Sequence, residues 1–248
     1  MLHFGDSMLE IISHDGPARL GKYEDAETPS TLKSDLKLLK DEPMPYNVPK
    51  TLAEWSVKQT IANATKSGKT GIGVVHGSKY PDLRVKCANE LEKLGNTVLM
   101  VANSEKLLER PMDLVRIMAQ LRENINPNSA IYFPFTDASF IPLLVYLGVD
   151  LFSDSACEFY AYLNILMTPT ATYNLKEYPI YDMDFEKLKE YNKNSMDFVL
   201  REVRENIKNG TLRNLVEERC CTSPESMTAL RVLDRDYPDF LEKYTQLQ

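Results

Sequence analysis

Histidine is scarce in this 248-residue chain, with three, and tryptophan scarcer still, with one. The four cysteines, Cys87, Cys157, Cys220 and Cys221, show no CxxC spacing. The adjacent pair at 220 and 221 suits neither a disulfide framework nor a zinc site, so reduced thiols, no bound metal, no cofactor and a cytoplasmic location are expected. A basic surplus is also missing. Lys and Arg number 29 against 36 Asp and Glu, for a net charge of −7, which works against unaided binding of nucleic acid unless one face is locally basic. Long apolar runs are absent too. The longest, "FIPLLVYLGVDLF", is too short and interrupted to span a bilayer, and "MLHFGDSMLEII" has no basic region followed by a long apolar core. A soluble protein with no membrane association is expected.

The stretch "NATKSGKTG" (63–71) comes near to a phosphate-binding loop but lacks its parts. Asn63 stands where that loop has its first glycine, and the order is helix then strand, whereas the loop needs a strand before it and a helix opening after it. The stretch reads instead as a helix-to-strand turn, with Gly68 ending the helix and Lys66 and Lys69 favouring its C-terminal dipole.

With 43% hydrophobic residues the chain can bury a sizeable core. Residues 33–50, rich in Lys, Asp and Pro, read as a connecting stretch. Strands and helices then alternate. The strand "GIGVVHG" (71–77) precedes a helix over "PDLRVKCANELEKLG", where Leu83, Cys87, Leu91 and Leu94 recur at helical spacing and Gly95 is a stop. Next come the strand "TVLMVAN" (97–103), a helix over "PMDLVRIMAQLREN", the strand "AIYFPF" (130–135), a short helix near "ASFIPLLVYLG" and the strand "VDLF" (149–152). Repeated βα units imply parallel strands with right-handed crossovers, and both a doubly wound sheet and a barrel satisfy them. From about Phe185 the pattern is helical and highly charged, with Ser223, Pro224 and Glu225 as N-cap, first-turn proline and early acid.

Two segments, "GVVHGSKYPDLRVKCANEL" (73–91) and "HDGPARLGKYEDAETPS" (14–30), together with "GVDLFSDSA" (148–156), resemble signature segments of the tRNA-guanine transglycosylase family. The first is similar to its strand-loop-helix of type G-I-V-Q-G-G-x-Y-x-D-L-R. The second is similar to its opening hairpin ending in E-T-P, and the third to its G-V-D-M-F-D segment, whose last Asp is the nucleophile. "PNSAIYFPF", "MTPTATYNL" and the tail from Asn214 resemble the archaeal branch, archaeosine synthase and its truncated homologues. The resemblance implies a (β/α)8 TIM-type barrel, here partial. About 40 residues separate the E-T-P element from "GIGVVHG", and nothing among them matches the family's D-S-G-G-F segment with its second catalytic Asp. Its zinc ligands and the archaeosine synthase Pro-Cys and Lys-Pro-Tyr motif are missing as well. The expected organisation is a transglycosylase-like partial (β/α) barrel over 1–183 and a helical C-terminal appendage over 184–248.

In a parallel α/β barrel, functional groups gather at the C-terminal ends of strands. Those ends are His76-Gly77, Asn103-Ser104, Thr136-Asp137 and Ser153-Asp154, although strand ends are polar in any α/β protein. By resemblance His76 stands where the family has a Gln that bonds the deazaguanine base, and Gly77 matches a glycine that lets the base approach the backbone. Asn103, Ser104 and Asp137 complete the expected substrate-binding set. Asp154 is the candidate nucleophile, which in the family attacks the ribose carbon as the base leaves. Ser153, however, aligns with that Asp, and a one-residue offset in a strand turns a side chain to the opposite face. Asp150 reads as structural, and Asp82 with Arg84 as a surface pair.

Two functions follow from the resemblance. One is tRNA modification in the archaeosine, or 7-deazaguanine, pathway, alone or with a second chain carrying the missing archaeosine synthase domains. The other is a catalytically silent subunit that holds tRNA or a partner. Weak tRNA binding by the chain alone is expected, and a homo-oligomer is compatible with either reading.

Overall fold

The computed structural model describes residues 10, 11, 16–23 and 26–243. The stretch read for a targeting signal, apart from residues 10 and 11, the last five residues, and positions 14, 15, 24 and 25 of the opening hairpin lie outside the described residues. Within them, β1 (Glu10–Ile11), β2 (Arg19–Tyr23) and β3 (Ala26–Thr28) form an antiparallel ribbon, so the opening segment does contain a hairpin.

The βα alternation follows: β4 (Ser30–Thr31), α1 (Lys50–Ser67), β5 (Ile72–Val75), α2 (Pro81–Lys93), β6 (Val98–Val101), α3 (Ser104–Leu108), α4 (Pro111–Asn124), β7 (Ala130–Phe133), a 3-10 turn (Ala138–Phe140) leading into α5 (Ile141–Tyr146), and β8 (Leu151–Phe152). The central sheet has the order β4-β8-β7-β6-β5, and every pairing in it is parallel. Beyond β5, Leu39 N–H donates to Ile72 O and Ile72 N–H to Lys37 O, each at 3.0 Å, so residues 37–39 lie along that edge. A Cβ on Gly71 would stand 2.5 Å from Lys37 O, which is why glycine opens β5. Gly68, with φ 58°, ends α1 in the left-handed region, and Lys66 sits in the last turn, as the helix-to-strand reading requires.

After β8 come α6 (Ser155–Tyr162), the hairpin β9 (Ile165–Met167) and β10 (Thr172–Asn174), and four helices: α7 (Phe185–Asn209), α8 (Leu212–Cys220), α9 (Pro224–Asp236) and α10 (Pro238–Lys243). Ser223 Oγ accepts from Ser226 N–H at 3.1 Å and Pro224 follows it, the cap read from sequence.

Strand residues alternate between two buried faces, as both-sided burial of a parallel sheet demands. Val75, Leu99, Val101, Ile131, Phe133 and Phe152 join the main apolar cluster, to which α1, α2, α4, α5, α7, α8 and α9 all contribute. The C-terminal helices thus share one core with the sheet: α9 packs on α4, α8 on α5, and α7 on α6 and α5. Ile72, Val98, Ala130 and Leu151 face the other way, into a small cluster closed by Tyr23 and Leu32.

A polar keystone locks the N-terminal ends of the strands. Asp150, 2% exposed, accepts from Arg19 Nε at 3.1 Å and Nη2 at 2.6 Å, from Arg122 Nη1 at 3.3 Å, and from Ile131 N–H at 2.9 Å. Both guanidinium groups also donate to Ser129 O, and Arg19 reaches Pro127 O. Two cations thus balance one buried carboxylate, both of whose oxygens accept hydrogen bonds. The structural reading of Asp150 follows from this arrangement.

Candidate functional site

The order of the sheet sets the candidate residues along one rim. Asp154 follows β8, Asp137 follows β7, Asn103 and Ser104 follow β6, and His76 and Gly77 follow β5. At a strand spacing of about 4.8 Å, Asp154 and His76 stand three strands apart, on the order of 14 Å. His76, Gly77, Asn103 and Ser104 come together at the ends of adjacent strands. Asp137 and Asp154 lie progressively further along.

Residues 41–48 run as a strap across the β5–β6 end of this rim. Its prolines, Pro43 and Pro45, fix φ and carry no N–H, so the strap offers mainly acceptors. Ser78 Oγ donates to Pro45 O at 3.0 Å, Asn103 Nδ2 to Met44 O at 3.2 Å and Tyr80 Oη to Val48 O at 3.0 Å. Asp41 accepts from His76 Nε2 at 2.7 Å. The strap is anchored from behind by Ser56 Oγ, which donates to Glu42 O at 2.6 Å, and by Tyr46 Oη, which donates to Asp113 at 2.5 Å.

His76 is buried, and burial lowers its pKa below the ordinary 6.5, outweighing the Asp41 hydrogen bond that raises it. With Nε2–H donated to Asp41, the neutral ring leaves Nδ1 as a buried acceptor, and that atom has no hydrogen-bond partner among the described residues. Asn103 Oδ1 and Ser104 Oγ, on the next strand end, are likewise buried without partners among the described residues.

Between these strand ends lies Arg84. Sequence placed it on the surface with Asp82, and the structure corrects this. Arg84 is fully buried, with Nε donating to Ser78 O at 2.8 Å and Nη1 to Val75 O at 3.3 Å and Ala102 O at 2.9 Å. Desolvation pushes its pKa down to about 10. Asp82 instead pairs with Lys50 at 2.6 Å, both exposed. The physical reason is that the carbonyls at the ends of β5 and β6 point past the strands, and a guanidinium fork from the first turn of α2 reaches them. Gly77 serves this packing. A Cβ there would lie 2.6 Å from Arg84 N, and its φ is +148°.

Asp137 is buried and caps the 3-10 turn, accepting from Ser139 N–H at 2.9 Å and Ser139 Oγ at 2.5 Å, and burial raises its pKa. Alternation continues past β8: Leu151 faces the small cluster, Phe152 the helices, and Ser153 is buried beside the Tyr132 hydroxyl. Asp154 is turned out at the start of α6, about half exposed, with Lys193 Nζ at 3.9 Å. The inward position after β8 is therefore Ser153's. Among the described residues no group of three or more His, Cys, Asp or Glu could hold a metal ion, and no helix is long and apolar enough to cross a membrane.

Sequence reasoning missed Asp41, Arg84 and the strap. The signal for the strap was the proline spacing in "DEPMPYNVP", which favours an extended chain rich in free acceptors.

Residues 3–193 match the family model described as queuine tRNA-ribosyltransferase. The archaeosine synthase of Methanocaldococcus jannaschii is 32% identical over 88% of this chain and 41% of its own length. The tRNA-guanine(15) transglycosylases of the same organism and of Thermococcus kodakarensis are 28% and 26% identical, over 94% and 96% of this chain and 42% and 47% of theirs. The chain spans less than half the length of each of these relatives. It belongs to the queuine tRNA-ribosyltransferase family.

Proposed function

We propose that this member of the queuine tRNA-ribosyltransferase family acts in tRNA modification, in the archaeosine (7-deazaguanine) pathway, as a transglycosylase-like chain that works with a partner subunit. Its relatives named archaeosine synthase and tRNA-guanine(15) transglycosylase support the pathway. The observation that carries the need for a partner is the strap. The side chains best placed to read a base, His76 and Asn103, donate to Asp41 and Met44 O, and Asp154 lies outside the inward-facing series. A chain so arranged supports binding or scaffolding better than glycosyl transfer on its own, so the reading in which the isolated chain is catalytically silent is preferred.

For the fold we read residues 1–183 as a partial (β/α) barrel and 184–248 as the helical segment that flanks it. All the large helices contribute to the cluster on one side of the sheet, as on the outside of a barrel and unlike a doubly wound sheet. The two sheet edges, Thr31 beside β8 and Leu38 beside β5, are also joined by only six intervening residues, seven Cα steps. Those can reach only about 23 Å, roughly the full width of a flat six-strand sheet, so curvature is favoured. The exposed apolar side chains Phe159 and Tyr162 on α6 and Leu163 directly after it, with Phe135 against Phe159, suit coverage by another chain.

Affinity purification of the chain from its native extract tests this. Recovery of a second chain bearing the Pro-Cys and Lys-Pro-Tyr motif and an RNA-binding domain is expected. Recovery of the chain free of any such partner, with exchange activity of its own, would overturn the split arrangement.

A further inference from the structure

We infer that the cleft between β3, β4 and α7 is a docking site for the phosphodiester backbone of RNA. The cleft, of about 390 Å³, lies on the flank of the sheet away from the strap and is lined by Glu27, Ser30, Lys33, Asn194, Arg201 and Arg204, among others. In a chain whose net charge is −7, its cations are concentrated. Lys33 and Arg201 take part in no ion pair among the described residues. Arg204 donates Nη1 to Pro29 O at 2.6 Å and stands 3.9 Å from Glu27, to which Lys208 also comes within 3.7 Å. Glu27 is therefore flanked by two cations, one of them shared with Glu205. Asp197 is the remaining acid in the lining. Arg201 Nε donates to the backbone O of Asp197 at 3.3 Å, leaving the rest of its guanidinium for a ligand.

A second observation points the same way. Ser30 is 8% exposed, lines the cleft, and its Oγ has no partner among the described residues. A buried hydroxyl left unpaired costs free energy unless a ligand or water completes it, and a phosphate oxygen beside Lys33 would do so. Lys33, Asn194 and Arg201 are exposed at the mouth, where solvent screening leaves a small free anion weakly held. A polyanion that places successive phosphates on these groups gains from counterion release. The occupant is therefore a nucleic-acid backbone rather than a small phosphate, and RNA by the proposed function on which this inference rests.

Binding of a tRNA transcript to the full chain, followed across salt concentration, tests it. The double variant Lys33→Glu/Arg201→Glu should lose about tenfold or more in affinity and flatten the log–log salt slope by about 2. Ser30→Ala should bind RNA a few-fold more weakly with a melting temperature no lower than that of the wild-type chain. Lys58→Glu/Lys86→Glu, the same charge change on exposed residues of α1 and α2, should retain most of the binding. Equal losses in both double variants would show a diffuse charge effect and overturn the cleft while leaving tRNA binding intact. Absence of tRNA binding by the wild-type chain at about 10⁻⁴ M, the weak end of the range for binding by phosphate contacts alone, would also overturn it, whereas the partner capture above would still stand or fall by itself. Inorganic phosphate competing at low millimolar concentration would show a small-anion site instead.

Discussion

His76 and Asp41 lie 35 residues apart in sequence and meet at 2.7 Å between Nε2 and Oδ2, beneath a strap that covers the ends of β5 and β6. The pair joins the imidazole of the rim to a side chain of the strap.

Because burial lowers the pKa of His76 below its unfolded value near 6.5, the unfolded chain binds more protons than the folded one in the interval between the two values. Stability therefore rises with pH across that interval. The contribution is fully present above about pH 6.5 and is lost as pH falls toward the folded pKa. Urea titrations at pH 7.5 and pH 5.5 should show a lower midpoint at the acid pH, with a smaller difference in His76→Gln. A difference undiminished by the substitution would assign the effect to other groups.

Arg84→Met leaves the carbonyls of Ser78 and Ala102 buried without the donor that Arg84 supplies, while Val75 O keeps the N–H of Ala102 at 3.3 Å. A loss of about 3 kcal/mol or more is expected. Asp82→Ala, on the exposed partner of Lys50, should leave the midpoint unmoved. Equal sensitivity of the two variants would contradict the buried placement of Arg84.

Asp150→Ala would leave Arg19 as a buried cation without its carboxylate and remove one ion-pair partner from Arg122, at a cost of about 3–5 kcal/mol. Gly148→Ala strikes the same keystone from the other side, because φ is +92° and a Cβ would stand 2.6 Å from Arg122 Cδ. Both variants should be recovered in lower soluble yield and melt earlier. An unchanged thermal transition in Asp150→Ala would refute the keystone.

Asp154 faces solvent near Lys193, and the inward position is a serine, which offers no carboxylate to form a glycosyl ester. The isolated wild-type chain should place no labelled guanine into tRNA and form no covalent adduct with it. Asp154→Asn should then alter neither result and shift the melting temperature only slightly. Labelled base appearing in tRNA with wild-type chain alone, and disappearing in Asp154→Asn, would restore Asp154 as the nucleophile.

Much of the fold could be read locally. The strands at 72–75, 98–101 and 130–133 and the helices at 81–93 and 111–124 are set by apolar runs and by side chains repeating at 3.6 residues, and those signals sit within a dozen positions of one another. The turn at Gly68 and the cap at Ser223 are equally local, since a left-handed residue or a side-chain acceptor acts on backbone groups two or three residues away. The polar character of the rim was legible for the same reason.

Tertiary structure decided what the rim residues do. Arg84 looks like a surface charge in any helical window, and only the convergence of carbonyls from β5 and β6 makes a buried guanidinium stable there. The strap has no periodicity to announce it. Its contacts run to partners 32, 33, 35 and 59 residues away, and an acceptor-rich, proline-bearing segment has no address until donors at distant strand ends are brought to it. The choice between Ser153 and Asp154 likewise depends on which face of β8 looks inward, a matter of register against β7. Sequence fixes the alternation of side chains along a strand, while the pairing of that strand with its neighbours fixes the direction in which the alternation begins.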